Sequence, residues 1–516
     1  MRKTLPLALI LLISCGEKKQ TIQTTNSESD FQVPYFEDSL RAKKILGQSF
    51  VIDSIFSRSA KQNHNPSIAY GIVVDNKLIY SNAVGYANLE NKIKADNKSR
   101  FRIASMTKSF TAMAILKLRD EGKLQLSDAA SKYIPEMKGL KYPASDGLPI
   151  TIFNLLTMSA GFPEDNPWGD RQLSDTDQDL IDLVKSGISF STSPGSQFEY
   201  SNLGYALLGR IVSNVSGQHY QDYIIEKILR PLGMNDSEFE YEKISKEKLA
   251  IGYRWEDDQW KSEALLKDGS YASMGGMICT IDDFAKYMSF LLGSWPQRNE
   301  TEVGPVRRSS AREMQQPWIF RGNFPNYKNH AGAICPRTVS YGFGLGWRVD
   351  CRNDITVSHT GGLPGFGSVH LLLPEYGIGI VAFSNLTYAN MTAPSLQAID
   401  TLLVLAELKK RVIPVSPVLK KIQDQIVNVI PNWGNEYDNM FAENFFPDIS
   451  KDHRKKQMDE LLNKIGKIVS VGKMRPENLL RGSFDLVGEK GTVEVFFTLT
   501  PEAEPKVQWL SFRLKD

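Results

Sequence analysis

The chain has 516 residues, 41% hydrophobic and 10% aromatic, the composition of a folded protein too long for one small domain; two or three domains are expected. Its 61 Lys and Arg against 59 Asp and Glu leave a net charge of +2. With no concentrated basic patch, a nucleic-acid partner is not expected.

The opening residues, MRKTLPLALILLISC, place Arg2 and Lys3 before an apolar run from Leu5 to Ile13, then Ser14 and Cys15. The run is too short to span a bilayer as a helix and suits the apolar part of a secretory signal. Its ending, Leu12-Ile13-Ser14-Cys15, resembles a bacterial lipoprotein signal, in which the cysteine is lipidated and becomes the new N-terminus. The expectation is a signal over 1–15, lipid attachment at Cys15, and export to a bacterial membrane, facing the periplasm or the cell exterior. An ordinary cleaved signal with a chance cysteine is the alternative. Residues 16–35 are polar and aperiodic, as a membrane tether should be.

Residues 36–61 show helical apolar spacing, and SIAYGIVVDNKLIYSNAVGYAN reads as two strands joined at Asp75-Asn76. From Ser105 to about Gly122 the pattern is helical, with Phe110, Met113, Ala114, Leu116 and Leu118 on the apolar face. The segment 290–340, rich in Pro, Asn, Arg and Gly, is expected as an excursion over the surface. VHLLLPEYGIGIVAFSN (369–385) reads as a second hairpin turning at Pro374–Gly377, and a helix is expected from about Ser395 to Val412. Pro414, Pro417 and Pro431 then mark a linker over 413–433. A smaller α+β domain follows over 434–516, with a helix at Asp452–Ile465 and strand-like runs GSFDLVGEKGTVEVFFTLTPE and VQWLSFRL. No internal repeat is present. Of the cysteines past the signal, Cys335 and Cys351 flank one loop and are the expected disulfide in an exported protein, leaving Cys279 as a buried thiol. No Cys/His spacing suggests zinc, and no cofactor is expected.

The chemistry-bearing stretch is FRIASMTKSF, where Ser105 and Lys108 stand three apart at the junction of an extended apolar run and an apolar helix. That spacing puts both side chains on one helix face, and the free N–H groups of a helix start suit an oxyanion. Two other Ser-x-x-Lys pairs lack this setting: Ser245/Lys248 lies in a charged run and Ser470/Lys473 in the small domain. FEYSNLGY supplies Tyr200 and Asn202, exposed by a Pro-Gly-Ser turn before an apolar helix. VSHTGGLPGFGS supplies His359, Thr360, Gly361 and Gly362 at the end of a strand-like run, where glycines let a substrate backbone approach closely. The rival His330-Ala331-Gly332 lies in the polar excursion.

Ser105-Met106-Thr107-Lys108, Tyr200-Ser201-Asn202 and His359-Thr360-Gly361, in that order, resemble the three motifs of class C β-lactamase-related serine hydrolases. That family includes penicillin-binding DD-peptidases, D-aminopeptidases and esterases. ITIFNLLTMSAGFP, GGMICTIDDFAKYM and YGFGLGW match its style, and the likeness covers about residues 40–405, within a hydrolase domain expected over 36–412. The resemblance implies an α/β (α+β) β-lactamase/transpeptidase-like fold: an antiparallel sheet flanked by helices, plus a helical lobe, with the site in the cleft between. It implies that Ser105 attacks a carbonyl and forms an acyl-enzyme that water clears. Lys108 is then the general base, or holds Tyr200 ready to be one. Backbone N–H groups of Ser105 and Gly362 form the oxyanion hole, and Asn202 orients Lys108 and a substrate amide.

A free lysine titrates near about 10.4, so Lys108 accepts a proton at neutral pH only if its environment lowers that value by about 3 units. Alternatively Lys108 stays charged and lowers the pKa of Tyr200. In β-lactamases and many penicillin-binding proteins the third motif begins with lysine, a permanent cation; here it begins with His359, largely neutral at pH 7. The expected substrate is therefore a small peptide, amide or ester, with D-residue peptides foremost. β-Lactam hydrolysis and DD-peptidase activity are the alternatives, and a penicillin-binding sensor or scaffold without turnover is the rival class. His64, His219, His370 and His453 are expected to be structural or solvated. Trp168 is expected to pack rather than line the cleft. Thr280 and Asp283 resemble a helix capping box.

Overall fold

The computed structural model describes residues 31–430 and 433–515; the expected signal, Cys15, residues 16–30 of the tether and Pro431 lie outside them. The chain divides into two compact units, one over Pro34–Val412 and one containing Ile413–Asp516. Pro34 and Tyr35, expected as the end of the tether, belong to the first unit, where Tyr35 and Val412 exchange backbone hydrogen bonds.

The first unit is built on a nine-stranded antiparallel sheet. Its strands are Ser67–Val74 (β1), Lys77–Asn88 (β2), Ile93–Lys94 (β3), Ile319–Phe324 (β4), Arg337–Tyr341 (β5), Gly346–Val349 (β6), Ile355–Leu363 (β7), Phe366–Leu373 (β8) and Ile378–Ser384 (β9). Their order across the sheet is β3-β2-β1-β9-β8-β7-β6-β5-β4. The hairpins at 75–76 and 374–377 form as the sequence predicts. Asp75 and Asn76 take φ of 50° and 63°, the left-handed conformation that a two-residue turn between right-twisted strands requires. β1, β8 and β9 are buried along their whole length and read as near-continuous apolar runs, because helices cover both faces of the sheet.

Ser49–Gln62 (α1), Lys108–Asp120 (α2), Asn202–Ser216 (α3), Ile281–Gly293 (α4) and Thr392–Leu405 (α5) supply the main cover. α1 and α5 pack Ile52, Phe56, Ile399 and Leu402 on one face, against Ile72, Leu371 and Ile380. α2, α3 and α4 form the helical lobe on the other face, with Phe110, Leu207 and Phe284 in a core that reaches Val73 and Phe383.

Three expectations require correction. The segment 290–340 is not a bare excursion: Arg308–Met314 is helical, and β4 pairs with β5 to form the sheet edge. α5 starts at Thr392 and ends at Leu405 rather than running to Val412, because Glu407 takes φ 51° and Leu408 N–H closes back on the Leu403 carbonyl. The stretch 413–433 is not a linker, since Pro417–Val429 (α6) is a helix. Pro417 occupies the first turn, where its missing N–H costs nothing, and Ser416 Oγ caps the start by accepting from Leu419 N–H at 3.3 Å.

The second unit combines α6 with Lys451–Ile465 (α7) and five strands, Ile468–Val471 (β10), Arg475–Asn478 (β11), Arg481–Gly488 (β12), Thr492–Leu499 (β13) and Val507–Lys515 (β14). The order is β10-β12-β13-β14, with β11 also pairing β12. Leu419, Ile422 and Ile426 from α6 join Phe484, Phe497 and Val507 in its own core. Among the described residues no helix is long and apolar enough to cross a membrane.

Cys335 and Cys351 form a disulfide, and Cys279 is a buried free thiol.

Candidate active site

Ser105 lies on a single 3₁₀ turn, Ala104–Thr107, that leads directly into α2 at Lys108. The turn is held from three sides. Ile103 N–H donates to the Met277 carbonyl at 3.0 Å, Thr107 Oγ1 donates to the Ala104 carbonyl at 2.7 Å, and Ser368 Oγ of β8 donates to the Ile103 carbonyl at 2.7 Å. Ala104 takes φ 51°, a left-handed conformation unfavourable for a residue with a Cβ, so the residue preceding the serine is strained.

Lys108 is fully buried, and its Nζ meets three oxygens: Ser105 Oγ at 2.9 Å, Asn202 Oδ1 at 2.7 Å and the Met274 carbonyl at 2.8 Å. Burial lowers its pKa to about 7 against the opposing pull of Asp170, Asp165 and Glu164. The last two of those three oxygens are carbonyls, which only accept. They consume both N–H bonds of a neutral amine and leave its lone pair facing the Ser105 hydroxyl.

Asn202 is the first residue of α3 and is held there by the loop before it. Asp165 accepts from Asn202 N–H at 2.6 Å and Leu203 N–H at 2.8 Å, supplying a carboxylate to the helix start, and Ser201 Oγ accepts from Gly204 N–H at 3.1 Å. The Asn202 amide donates to Asn166 Oδ1 at 2.5 Å, which fixes its oxygen toward Lys108. Tyr200 places its ring 5.0 Å from Lys108 Nζ and 6.4 Å from the His359 ring. Burial raises its phenol well above the usual value, while its hydrogen bond with Ser105 pulls it back.

His359 is buried on β7, and its two nitrogens are both engaged. Nδ1 lies 2.6 Å from the Thr360 carbonyl and must donate; Nε2 then accepts from Tyr341 Oη–H at 2.9 Å. Burial, with Lys108 nearby, lowers its pKa to about 3, so it is a neutral imidazole at physiological pH. β6 pairs with β7 only from Ser358 back to Ile355, which leaves residues 359–363 as an open strand edge on the cleft. Gly361 is demanded by packing: a Cβ there would stand 2.2 Å from both the Ile103 carbonyl and Ser368 Oγ.

Ser105, Tyr200, His359, Thr360 and Gly362 line one cleft of about 630 Å³, with Lys108 and Asn202 directly beneath. The structure thus gathers residues from distant parts of the chain. It also adds groups that were not among the expected site residues: Glu164, Asp170, Arg321, Tyr341 and Tyr388 on the walls, and the Met274 carbonyl under Lys108. Asp170 is buried, accepts from Tyr388 Oη–H at 3.1 Å, and has its carboxyl pushed up to about 6 by burial, against the pull of Lys108. Tyr341 belongs to the YGFGLGW stretch; the others carry no local signal.

The residues expected to be bland lie elsewhere. Trp168 is exposed, edge-on to Tyr271 at 6.1 Å, and is not among the cleft-lining residues. His64 stacks on Trp255 at 4.1 Å, and His370 is buried with Nδ1 3.4 Å from Met106 Sδ. Thr280 Oγ1 caps α4 by accepting from Asp283 N–H at 3.1 Å. Asp283 does not complete a capping box; its carboxylate accepts from Asp236 N–H and Ser237 Oγ at 2.7 and 2.9 Å.

A profile of the beta-lactamase family matches residues 52–404. Protein flp of Staphylococcus aureus strain COL is 31% identical over 340 residues, covering 65% of this chain and 62% of that protein. Protein flp of strain MW2 is 30% identical over 386 residues, or 73% of this chain and 71% of that one. Among solved structures, the octameric penicillin-binding protein homologue from Pyrococcus abyssi matches with a TM-score of 0.56 at 22% identity, covering 90% of this chain and 95% of that one. A class C beta-lactamase matches with a TM-score of 0.56 at 18% identity, covering 71% of this chain and 99% of its own. At such identities these structures speak to the fold, which is the β-lactamase/transpeptidase-like one.

Proposed function

We propose that this chain, which belongs to the beta-lactamase family, is an exported serine hydrolase that cleaves an amide or ester bond through an acyl-enzyme on Ser105. The observation that carries the reading is the setting of a buried amine: Lys108 Nζ lies 2.9 Å from Ser105 Oγ and donates to two carbonyl oxygens, so that in its neutral form its lone pair faces the hydroxyl. Ser105 Oγ attacks the substrate carbonyl carbon as its proton passes to Lys108. The carbonyl electrons move onto oxygen, which the N–H groups of Ser105 and Gly362 receive. Collapse of the intermediate breaks the bond to the leaving group, which departs with the proton from Lys108 by way of Tyr200. Water then adds to the acyl-enzyme by the same route and frees the acid.

Two ionisations favour Lys108 over Tyr200 as the base. The amine falls to about 7, whereas burial drives the phenol further from ionisation. Tyr200 is better suited to relay a proton than to surrender one.

The substrate class follows from His359. With both nitrogens engaged and its charge suppressed, His359 offers no cation to a substrate carboxylate at the strand position where β-lactamases present lysine. This supports a small peptide, amide or ester, D-residue peptides foremost, over β-lactams. The test is turnover of D- and L-aminoacyl amides, short esters and penicillins, with intact-mass detection of a fluorophosphonate adduct and Ser105→Ala as control. Turnover of amides or esters is expected, with a stable fluorophosphonate adduct on Ser105 and only a transient acyl adduct from the substrates themselves. Activity persisting in Ser105→Ala, or no adduct at all, ends the proposal, and a permanent penicilloyl adduct on Ser105 without turnover of any substrate makes the protein a sensor. The lipid at Cys15 is part of the same proposal: Cys15→Ala should abolish metabolic labelling by palmitate.

A further inference from the structure

A second concave site lies away from the cleft, on the sheet face that α5 covers. It has a volume of about 280 Å³ and is lined by the ends of β5, β6 and β7, by α5, and by both cysteines of the Cys335–Cys351 disulfide. Two guanidinium groups converge there, Arg337 from β5 and Arg348 from β6. Among the described residues neither donates a side-chain hydrogen bond or pairs with a carboxylate. Arg337 Nε is buried without a partner, and its guanidinium carbon lies over the Tyr327 ring, 3.6 Å from the centroid, with the Phe324 ring at 5.4 Å. Arg348 is half-buried in the same pocket; burial and the charge of Arg337 work against its own charge, while Asp400 and Asp350 pull the other way.

The acids that line the same pocket are already committed. Asp350 pairs with Arg352 at 2.8 Å, and Asp400 pairs with Arg352 at 3.0 Å and His330 at 3.1 Å. Two cations lining one concavity, with no acceptor among the described side chains for their donors and Arg337 Nε buried, carry a Coulomb and a desolvation cost that an anion between them would offset. The planar fork of each guanidinium suits an oxyanion with two or more oxygens. Opposite the arginines, Leu373, Leu396 and Ile399 provide an apolar wall.

We propose that this pocket binds a small organic oxyanion, with a carboxylate or phosphate group bridging Arg337 and Arg348 and an apolar stem against Leu373, Leu396 and Ile399. The disulfide closes the pocket by joining the segment before β5 to the turn after β6. The ligand is separate from the substrate of the cleft, so the site stands or falls independently of the hydrolase reading.

The experiment is calorimetric titration of the full chain with inorganic phosphate and with succinate, against sodium chloride at matched ionic strength. Saturable binding of at least one is expected, and the better binder identifies the headgroup. Arg337→Gln and Arg348→Gln should each weaken it by about tenfold or more, the usual loss for a charged hydrogen bond. Arg321→Gln, which removes the cleft's guanidinium, should leave it unchanged. A melting measurement without anion guards against misfolding: Arg348→Gln should melt close to the parent, because the repulsion from Arg337 that it relieves is set against the attraction of Asp400 and Asp350 that it loses. The proposal is overturned if neither anion saturates, if affinity survives both pocket substitutions, if Arg321→Gln abolishes it, or if Arg348→Gln melts well below the parent.

Discussion

In the proposed mechanism Lys108 is the residue on which the pH behaviour turns. Its pKa lies at about 7, lowered by burial, so the amine is a free base above that pH and an ammonium below it. kcat/KM should therefore fall on the acid side with an apparent pKa near this value. Asp170 is the foremost group opposing the shift, through its negative charge. Asp170→Asn keeps an acceptor for Tyr388 but removes that charge, so the acid limb should move to lower pH. His359 is neutral down to about pH 3 and should add no limb of its own. A pH–rate profile of both proteins on one substrate checks this; an unmoved limb, or one displaced upward, would assign it to another group. The sequence holds Ser105, Lys108, Tyr200, Asn202 and His359 in motifs because each needs a particular side chain at a particular spacing. It does not display Asp165, Asp170 or the Met274 carbonyl. Asp165 acts on backbone N–H groups, Asp170 acts through its field, and Met274 acts through an oxygen that any residue would supply.

The turn Ala104–Thr107 and strand β7 act as one element pair. Gly361 of β7 lies so close to Ile103 and Ser368 that a side chain there would push apart the strand and the strained turn before Ser105. Gly361→Ala should keep the protein folded at reduced stability and cut kcat by about 10²-fold, the usual consequence of displacing a reacting group by about 1 Å. Gly362→Ala is the milder comparison, because its Cβ would meet the Tyr388 ring, a side chain able to turn aside. Melting temperatures and kcat of the two variants distinguish strand spacing from general fragility; equal losses would refute the special role of 361. Elements with strong local rules were legible in the same way. The Asp75-Asn76 turn and the apolar face of α2 follow from backbone conformation and periodicity. β4 was not, because Ile319–Phe324 is a largely exposed edge strand whose pairing with β5 is decided by tertiary position. α6 was misjudged for a different reason: prolines that read as a linker include one at the helix start, where proline is favoured.

At the scale of the whole molecule, the clusters of buried residues divide cleanly by unit. Phe445, Phe484, Phe497 and Val507 share a core with α6 and β12–β14, and among the described residues none before 413 belongs to it. The core between the sheet and the helical lobe, which holds Ile103, Met106 and Phe110 around the serine, contains no described residue after 412. Each unit thus has an apolar core of its own. Phe497→Ala, at a fully buried position of β13, should destabilise the C-terminal unit by about 3–5 kcal/mol through lost transfer energy and a residual cavity. Calorimetry should show one transition moved to lower temperature and a second unmoved, while the rate of fluorophosphonate labelling at Ser105 stays at its parent value. A single transition shifting as a whole, with labelling lost in parallel, would mean that the serine's surroundings draw their stability from beyond their own core, and the division into two independently packed units would have to be given up.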